Sequence, residues 1–107
     1  MNHNRIQLLR QYIQEEPGDP FNVYALAMEF RDHHPAQSRA LFDQLLTEHP
    51  DYLATYYHAA ALYADLDERP KATRLYEQGI DLARRQGNDK TLLELQRAKR
   101  AFEEDDV

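Results

Sequence analysis

The chain has 107 residues and a mass of 12.6 kDa, which suits one small domain with a single hydrophobic core. Nine Val, Ile and Thr residues stand against thirteen Ala and fourteen Leu residues, a balance that favours helices and excludes an all-β or α/β fold. The net charge of -6 argues against nucleic acid as a partner, and the absence of cysteine excludes disulfides and Cys-based metal or redox sites.

Capping and turn signals divide the chain into six segments, each with the apolar period of an amphipathic helix. Asp19 is suited to cap the second helix, and Pro20 is suited to its first turn. Gly87 is suited to a left-handed helix end. The sequence therefore predicts an all-α protein with helices at about 4–15, 20–31, 35–49, 52–65, 70–86 and 90–103.

The sequence also repeats with a period of 33 to 34 residues. The first helices of the two units align Val23 with Tyr56, Leu26 with Ala59, Ala27 with Ala60 and Phe30 with Tyr63. The second helices, together with the helix at 4–15, align Arg5, Ser38 and Ala72; Leu8, Leu41 and Leu75; Leu9, Phe42 and Tyr76; and Tyr12, Leu45 and Gly79. We expect the aligned leucines and aromatic residues to be buried between stacked helices. A glycine inside a helix costs about 1 kcal/mol relative to alanine, so Gly79 predicts a contact too close for a methyl group.

These columns resemble the tetratricopeptide repeat, whose pattern is W-x2-L-G-x2-Y followed by A-x3-F and P. The first unit matches it with Val23, Leu26, Ala27, Phe30, Ser38, Phe42 and Pro50, and the second with Tyr56, Ala59, Ala60, Tyr63, Ala72, Tyr76 and Arg84. The departures from the pattern, at Val23, Ser38, Ala59, Gly79 and Arg84, are expected to weaken single contacts without changing the register.

The resemblance covers nearly the whole chain and implies a TPR-like superhelical stack of about six antiparallel helices, a fragment of an α-α solenoid. It implies one domain over residues 1–107. In this domain a half-repeat at 4–15 precedes repeats at about 20–49 and 52–86, and a covering helix follows at about 90–103.

The resemblance further implies that the first helix of each repeat lines a concave surface that binds a peptide or helix of a partner protein. Both of these helices have a second apolar stripe beside their packing stripe. We predict a partner-binding groove formed by this stripe and its polar rim, with the residues Phe21, Tyr24, Met28, Arg31, Tyr57, His58, Ala61 and Asp65. In the alternative, the same aromatic face packs against the last helix or forms a homodimer, a self-assembling structural subunit with no foreign ligand.

No catalytic residue, cofactor or metal site is predicted, and we expect the protein not to be an enzyme. Ser38, the only serine, aligns with core residues, so no nucleophile stands out. The neighbouring His33 and His34 would point about 100° apart on a helix and would not converge on one ion. The sequence has no apolar leader or span, which leads us to expect a cytoplasmic protein with no membrane partner.

Overall fold

The computed structural model describes residues 2–105 and confirms the all-α fold. Its helices are α1 (His3–Glu15), α2 (Pro20–Phe30), α3 (Pro35–Glu48), α4 (Ala54–Asp65), α5 (Arg69–Gln86) and α6 (Asp89–Glu104). The predicted and observed ends differ by two residues at most. Within residues 2–105 there is no strand, and no helix has the length and apolar character needed to span a membrane.

Side chains cap the starts of the helices where the sequence provides them. The Asp19 carboxylate accepts a hydrogen bond of 3.0 Å from the backbone N–H of Phe21, with Pro20 at the first helical position of α2. The Asn88 side chain likewise accepts one of 3.0 Å from the N–H of Thr91 in α6. These bonds satisfy amides that have no partner within their own helix.

Two helices end on a residue with left-handed backbone. Gly87 has a φ of 69°, and the N–H after it donates to the Ala83 carbonyl at 2.9 Å. Asp67 takes the same role after α4 with a φ of 61°, and the following N–H donates to the Tyr63 carbonyl at 2.9 Å. At both ends, the terminating hydrogen bond runs from an N–H to the carbonyl five residues before it. Asp67 adopts the left-handed conformation although it is not a glycine.

The described chain consists of two compact units, residues 2–55 and 56–105. In the first unit α2 packs against both α1 and α3. Its core contains Ile6, Leu9, Ala25, Leu26 and Phe30, with Ile13 and Leu41 packed against it. The expectation of a single domain over residues 1–107 stays a prediction, and residues 1, 106 and 107 lie outside the described part of the chain.

In the second unit α5 packs against α6 and comes very close to α4. A Cβ atom added to Gly79 would lie 2.7 Å from the Cβ of Tyr56 and 3.2 Å from a methyl carbon of Leu95. Three helices therefore meet at a position without a side chain. This is the close contact that a glycine in mid-helix predicts.

Helix α1 departs from the expected burial of the aligned positions. It contributes Ile6 and Leu9 to the core of the first unit, whereas Leu8 is 48% exposed and Tyr12 43% exposed. The expectation that Leu8 and Tyr12 are buried is therefore wrong. They lie four residues apart on one face of α1, whereas α1 contacts α2 through Ile6 and Leu9. The equivalent Leu75 is buried because α5 packs against α6 and also lies close to α4.

Candidate functional site

A groove on the first unit brings together three of the predicted site residues. Its floor is formed by Phe21, Tyr24, Ala25 and Met28 of α2, and its rim by Arg5, Glu29, Asp32 and His33. The four floor residues have the spacing i, i+3, i+4 and i+7, which places them along one face of α2. We call this feature, with a volume of about 380 Å³, the α2 groove.

The apolar floor of the α2 groove is open to solvent at its Phe21 end. Phe21 is 54% exposed, and Tyr24 and Met28 are half-buried. The opposite face of α2 is buried, with Leu26 and Phe30 in the core. Helix α2 is thus apolar on both sides, and one of these sides faces solvent in this structure.

The rim of the groove has one ion pair and one acid without such a partner. The Nε of Arg5 lies 2.8 Å from a carboxylate oxygen of Glu29, which ties α1 to α2 across the groove. Asp32, which follows the end of α2, has no ion-pair partner among residues 2–105. The repeat aligns Arg5 with the buried Ser38, and the sequence did not predict that Arg5 lines a groove. The sign in the sequence was a charged residue aligned with small ones.

The Tyr24 side chain contacts a residue outside the helices. Its ring meets that of Tyr52 edge to face, with 5.9 Å between the centroids. Burial raises the pKa of the Tyr24 phenol, and the nearby Tyr52 phenol raises it further. Burial also raises the pKa of Tyr52, with a smaller contribution from the Asp19 carboxylate. Both phenols are therefore neutral at physiological pH and keep a proton to donate.

Tyr57, the predicted site aromatic of α4, lies beside α6. It lines a cleft of about 370 Å³ with Glu94, Arg97 and Ala98, which we call the α4–α6 cleft. It is nevertheless 40% exposed, and its ring centroid is 5.1 Å from that of His58. Tyr57 therefore contributes to an open cleft of the second unit.

The predicted site residues thus fall into two sets, one in each unit. The first set is Phe21, Tyr24, Met28 and Arg31, of which Arg31 is not among the lining residues of the α2 groove. The second set is Tyr57, His58, Ala61 and Asp65, all on α4, of which Tyr57 lines the α4–α6 cleft. That all eight form one groove stays a prediction.

The described residues offer little for metal or acyl-transfer chemistry. Within residues 2–105, no group of three or more His, Asp or Glu side chains is placed to hold a metal ion. The Ser38 hydroxyl is fully buried and donates a hydrogen bond of 2.8 Å to the Ala27 carbonyl. It serves to join α3 to α2, and no base activates it in that bond.

Two solved structures are similar to this chain in sequence as well as in fold. A crystal structure of a tetratricopeptide repeat domain protein from Salinibacter ruber has 46% sequence identity and a TM-score of 0.75, over 79% of this chain and 96% of that one. A solution NMR structure of a tetratricopeptide repeat domain protein from the same organism has 45% identity and a TM-score of 0.77, over 82% of this chain and 90% of that one. No protein-family model matches the chain, and neither does any curated protein. The helical hairpins, the repeated columns and this degree of identity agree, and the chain belongs to the tetratricopeptide repeat family.

Proposed function

We propose that this protein is a non-catalytic interaction module that binds a peptide or helix of a partner protein through the exposed apolar faces of α2 and α4. The observation on which the proposal chiefly rests is the α2 groove, whose Phe21 is more than half exposed on a helix already buried on its other side. An exposed apolar patch next to polar rim residues is typical of a docking surface.

The chemistry of the two exposed faces fits a peptide ligand. Phe21 and Met28 offer apolar surface, and methionine adapts its shape to different side chains. The phenols of Tyr24 and Tyr57 add large rings that contribute binding area at little cost in conformational entropy, with a hydroxyl that can donate a hydrogen bond. An apolar helix face or an extended apolar segment could therefore displace water from both surfaces.

The test is a selection of binding peptides from a displayed random library, followed by measurement of their affinity for variants of the intact chain. We expect Phe21→Ala or Tyr57→Ala to weaken the selected peptides at least about tenfold, as for a central aromatic contact. The matched control is Leu93→Ala. Leu93 has a similar exposure of 46% but lines neither the α2 groove nor the α4–α6 cleft.

Two outcomes would contradict the proposal. Equal effects of all three variants would show that peptides bind elsewhere. A dimer that persists on dilution in sedimentation experiments, and that Phe21→Ala or Tyr57→Ala dissociates, would assign these faces to self-association instead. That second result would favour the structural subunit without a foreign ligand.

A further inference from the structure

We propose that the α2 groove selects a cationic amphipathic peptide, with apolar side chains on Phe21 and Met28 and a Lys or Arg beside Asp32. The inference rests on the proposed function and specifies the partner's chemistry at one of its two faces.

The apolar part of the groove sets the spacing of the ligand's apolar side chains. Phe21 and Met28 are seven residues apart on α2, a rise of about 10 Å. Two apolar residues seven apart on a helical peptide match this distance, and so do two residues three apart on a polyproline II segment, which has three residues per turn. A single small apolar group would leave one end of the floor exposed.

The polar rim gives the groove a negative end. Arg5 is the one Lys or Arg among the lining residues, which also include His33, and its guanidinium is paired with Glu29. Asp32 has no ion-pair partner among the described residues and lies two residues past the end of α2, at the edge of the groove. A ligand cation at this end would be attracted by the Asp32 carboxylate, whereas a ligand carboxylate would be repelled.

The charge of the surrounding unit has the same sign as the rim. Residues 2–55 contain eight Asp and Glu residues against four Arg. One of these arginines, Arg10, lies with its guanidinium 5.7 Å from the centroid of the Phe30 ring, and Arg5 is engaged by Glu29. The field around the groove therefore attracts a positively charged segment and disfavours an acidic peptide, an anionic membrane or nucleic acid.

The experiment compares two synthetic peptides of about fourteen residues with the same leucine stripe, one with lysines at its polar positions and one with glutamates. Fluorescence anisotropy with the full chain at low salt is expected to show at least about tenfold tighter binding of the lysine peptide, with a preference that shrinks as salt is added. Asp32→Asn should reduce that preference about threefold or more. Glu77→Gln, which removes an exposed charge in the second unit, is the matched control and should not.

The possible results separate the two proposals. If both peptides bind equally well and Phe21→Ala weakens that binding, the charge inference is overturned and the apolar docking face is still supported. A lysine preference unchanged by Asp32→Asn would also overturn it, because the net charge of the protein alone would then explain the preference. If neither peptide binds at millimolar concentration, the charge inference is overturned. The proposed function is then still tested independently by the peptides selected from the random library.

Discussion

Two buried hydroxyl groups in this chain differ in their hydrogen bonding. Ser38 Oγ donates to the Ala27 carbonyl at 2.8 Å, whereas Thr55 Oγ1 is buried among the described residues without a hydrogen-bond partner. Removing a satisfied hydroxyl loses its bond, and removing an unsatisfied one relieves its desolvation. We expect Ser38→Ala to lower the free energy of unfolding by about 1 kcal/mol and Thr55→Val to raise it by about 1 kcal/mol. Urea unfolding followed by circular dichroism measures both, and a destabilised Thr55→Val variant would contradict the second expectation.

Gly79 lies where α4, α5 and α6 meet, and a methyl group at this position is expected to destabilise the protein. Gly79→Ala gains about 1 kcal/mol in helix propensity but places a methyl 2.7 Å from the Cβ of Tyr56, which is too close to the α4 backbone to move freely. We expect a net loss of about 1 to 2 kcal/mol in the free energy of unfolding. Gly18→Ala is the control, because nothing lies within 4 Å of its added Cβ and it should leave stability unchanged or slightly higher. A stabilised Gly79→Ala variant would show that the helices can separate.

Individual residues also show where a repeat pattern stops being informative. Ser38 departs from the alanine of the pattern, and the expectation of a weaker contact missed the hydrogen bond that its hydroxyl makes with Ala27. Leu8 fits its column and is nevertheless exposed. In both cases the column indicates only which positions are equivalent, while the neighbouring helix decides what each side chain contacts.

The C-terminal end of α6 is held by an arginine of α5. The guanidinium carbon of Arg69 lies 3.9 Å from the centroid of the Phe102 ring, and its Nη2 donates to the Phe102 carbonyl at 2.8 Å. The Phe102 ring in turn meets Tyr76 at 5.6 Å. A flat guanidinium can make the stacking contact and the hydrogen bond together, whereas a lysine ammonium cannot.

We therefore expect Arg69→Lys to lower the free energy of unfolding by about 1 kcal/mol and to speed amide hydrogen exchange in the last turns of α6. The exchange can be followed by mass spectrometry of peptides from that segment. Arg74→Lys, at an exposed position of the same helix, is the control and should change neither quantity. Faster exchange throughout the second unit, with no excess at the end of α6, would count against a local clamp.

The free energy of unfolding is expected to fall at alkaline pH because of two tyrosines in contact, Tyr24 in α2 and Tyr52 in the turn before α4. Burial raises the pKa of both Tyr24 and Tyr52 above the ordinary value of 10.0. The folded state therefore keeps these protons when the unfolded state begins to lose them. The resulting stabilisation is fully present below pH 10 and is lost as the pH rises from 10 through the raised values.

Unfolding in urea at a series of pH values above 9 measures this loss. Tyr24→Phe and Tyr52→Phe should each reduce the downward slope of the unfolding free energy above pH 10, because each removes one of the shifted protons. An unchanged slope in both variants would show that neither phenol is shifted by folding.

Local signals explain why the helix boundaries were predictable and this contact was not. Asp19 with Pro20, and Gly87, act within a few residues of where they stand, so the sequence contains what is needed to place those helix ends. Tyr52 lies in a turn without apolar periodicity. Its contact with Tyr24 depends on how α2 and α3 pack, which a periodic pattern does not describe.

At the scale of the whole molecule, the repeat predicts the fold more completely than the site. Periodicity and the resemblance predict that α2 and α4 are equivalent, and both have an exposed aromatic residue, Phe21 and Tyr57. Their surroundings differ, since Phe21 shares a groove with Arg5 of α1 while Tyr57 shares a cleft with Arg97 of α6. Helix α1 enters the columns only as half a repeat and α6 does not enter them, so the columns do not predict what either helix adds to these faces.

The size of the two units predicts that they unfold together. Each has about fifty residues, close to the lower limit for a domain that is stable alone. The boundary between them falls between Thr55 and Tyr56, inside the first turn of α4. Repeat proteins gain their stability from the coupling of neighbouring repeats. We expect Ser38→Ala, in the first unit, to lower the free energy of protection from hydrogen exchange equally in α2 and α5. Gly79→Ala, in the second unit, should likewise lower it equally in both helices. Loss of protection confined to the unit that contains the substitution would instead show two domains that unfold separately.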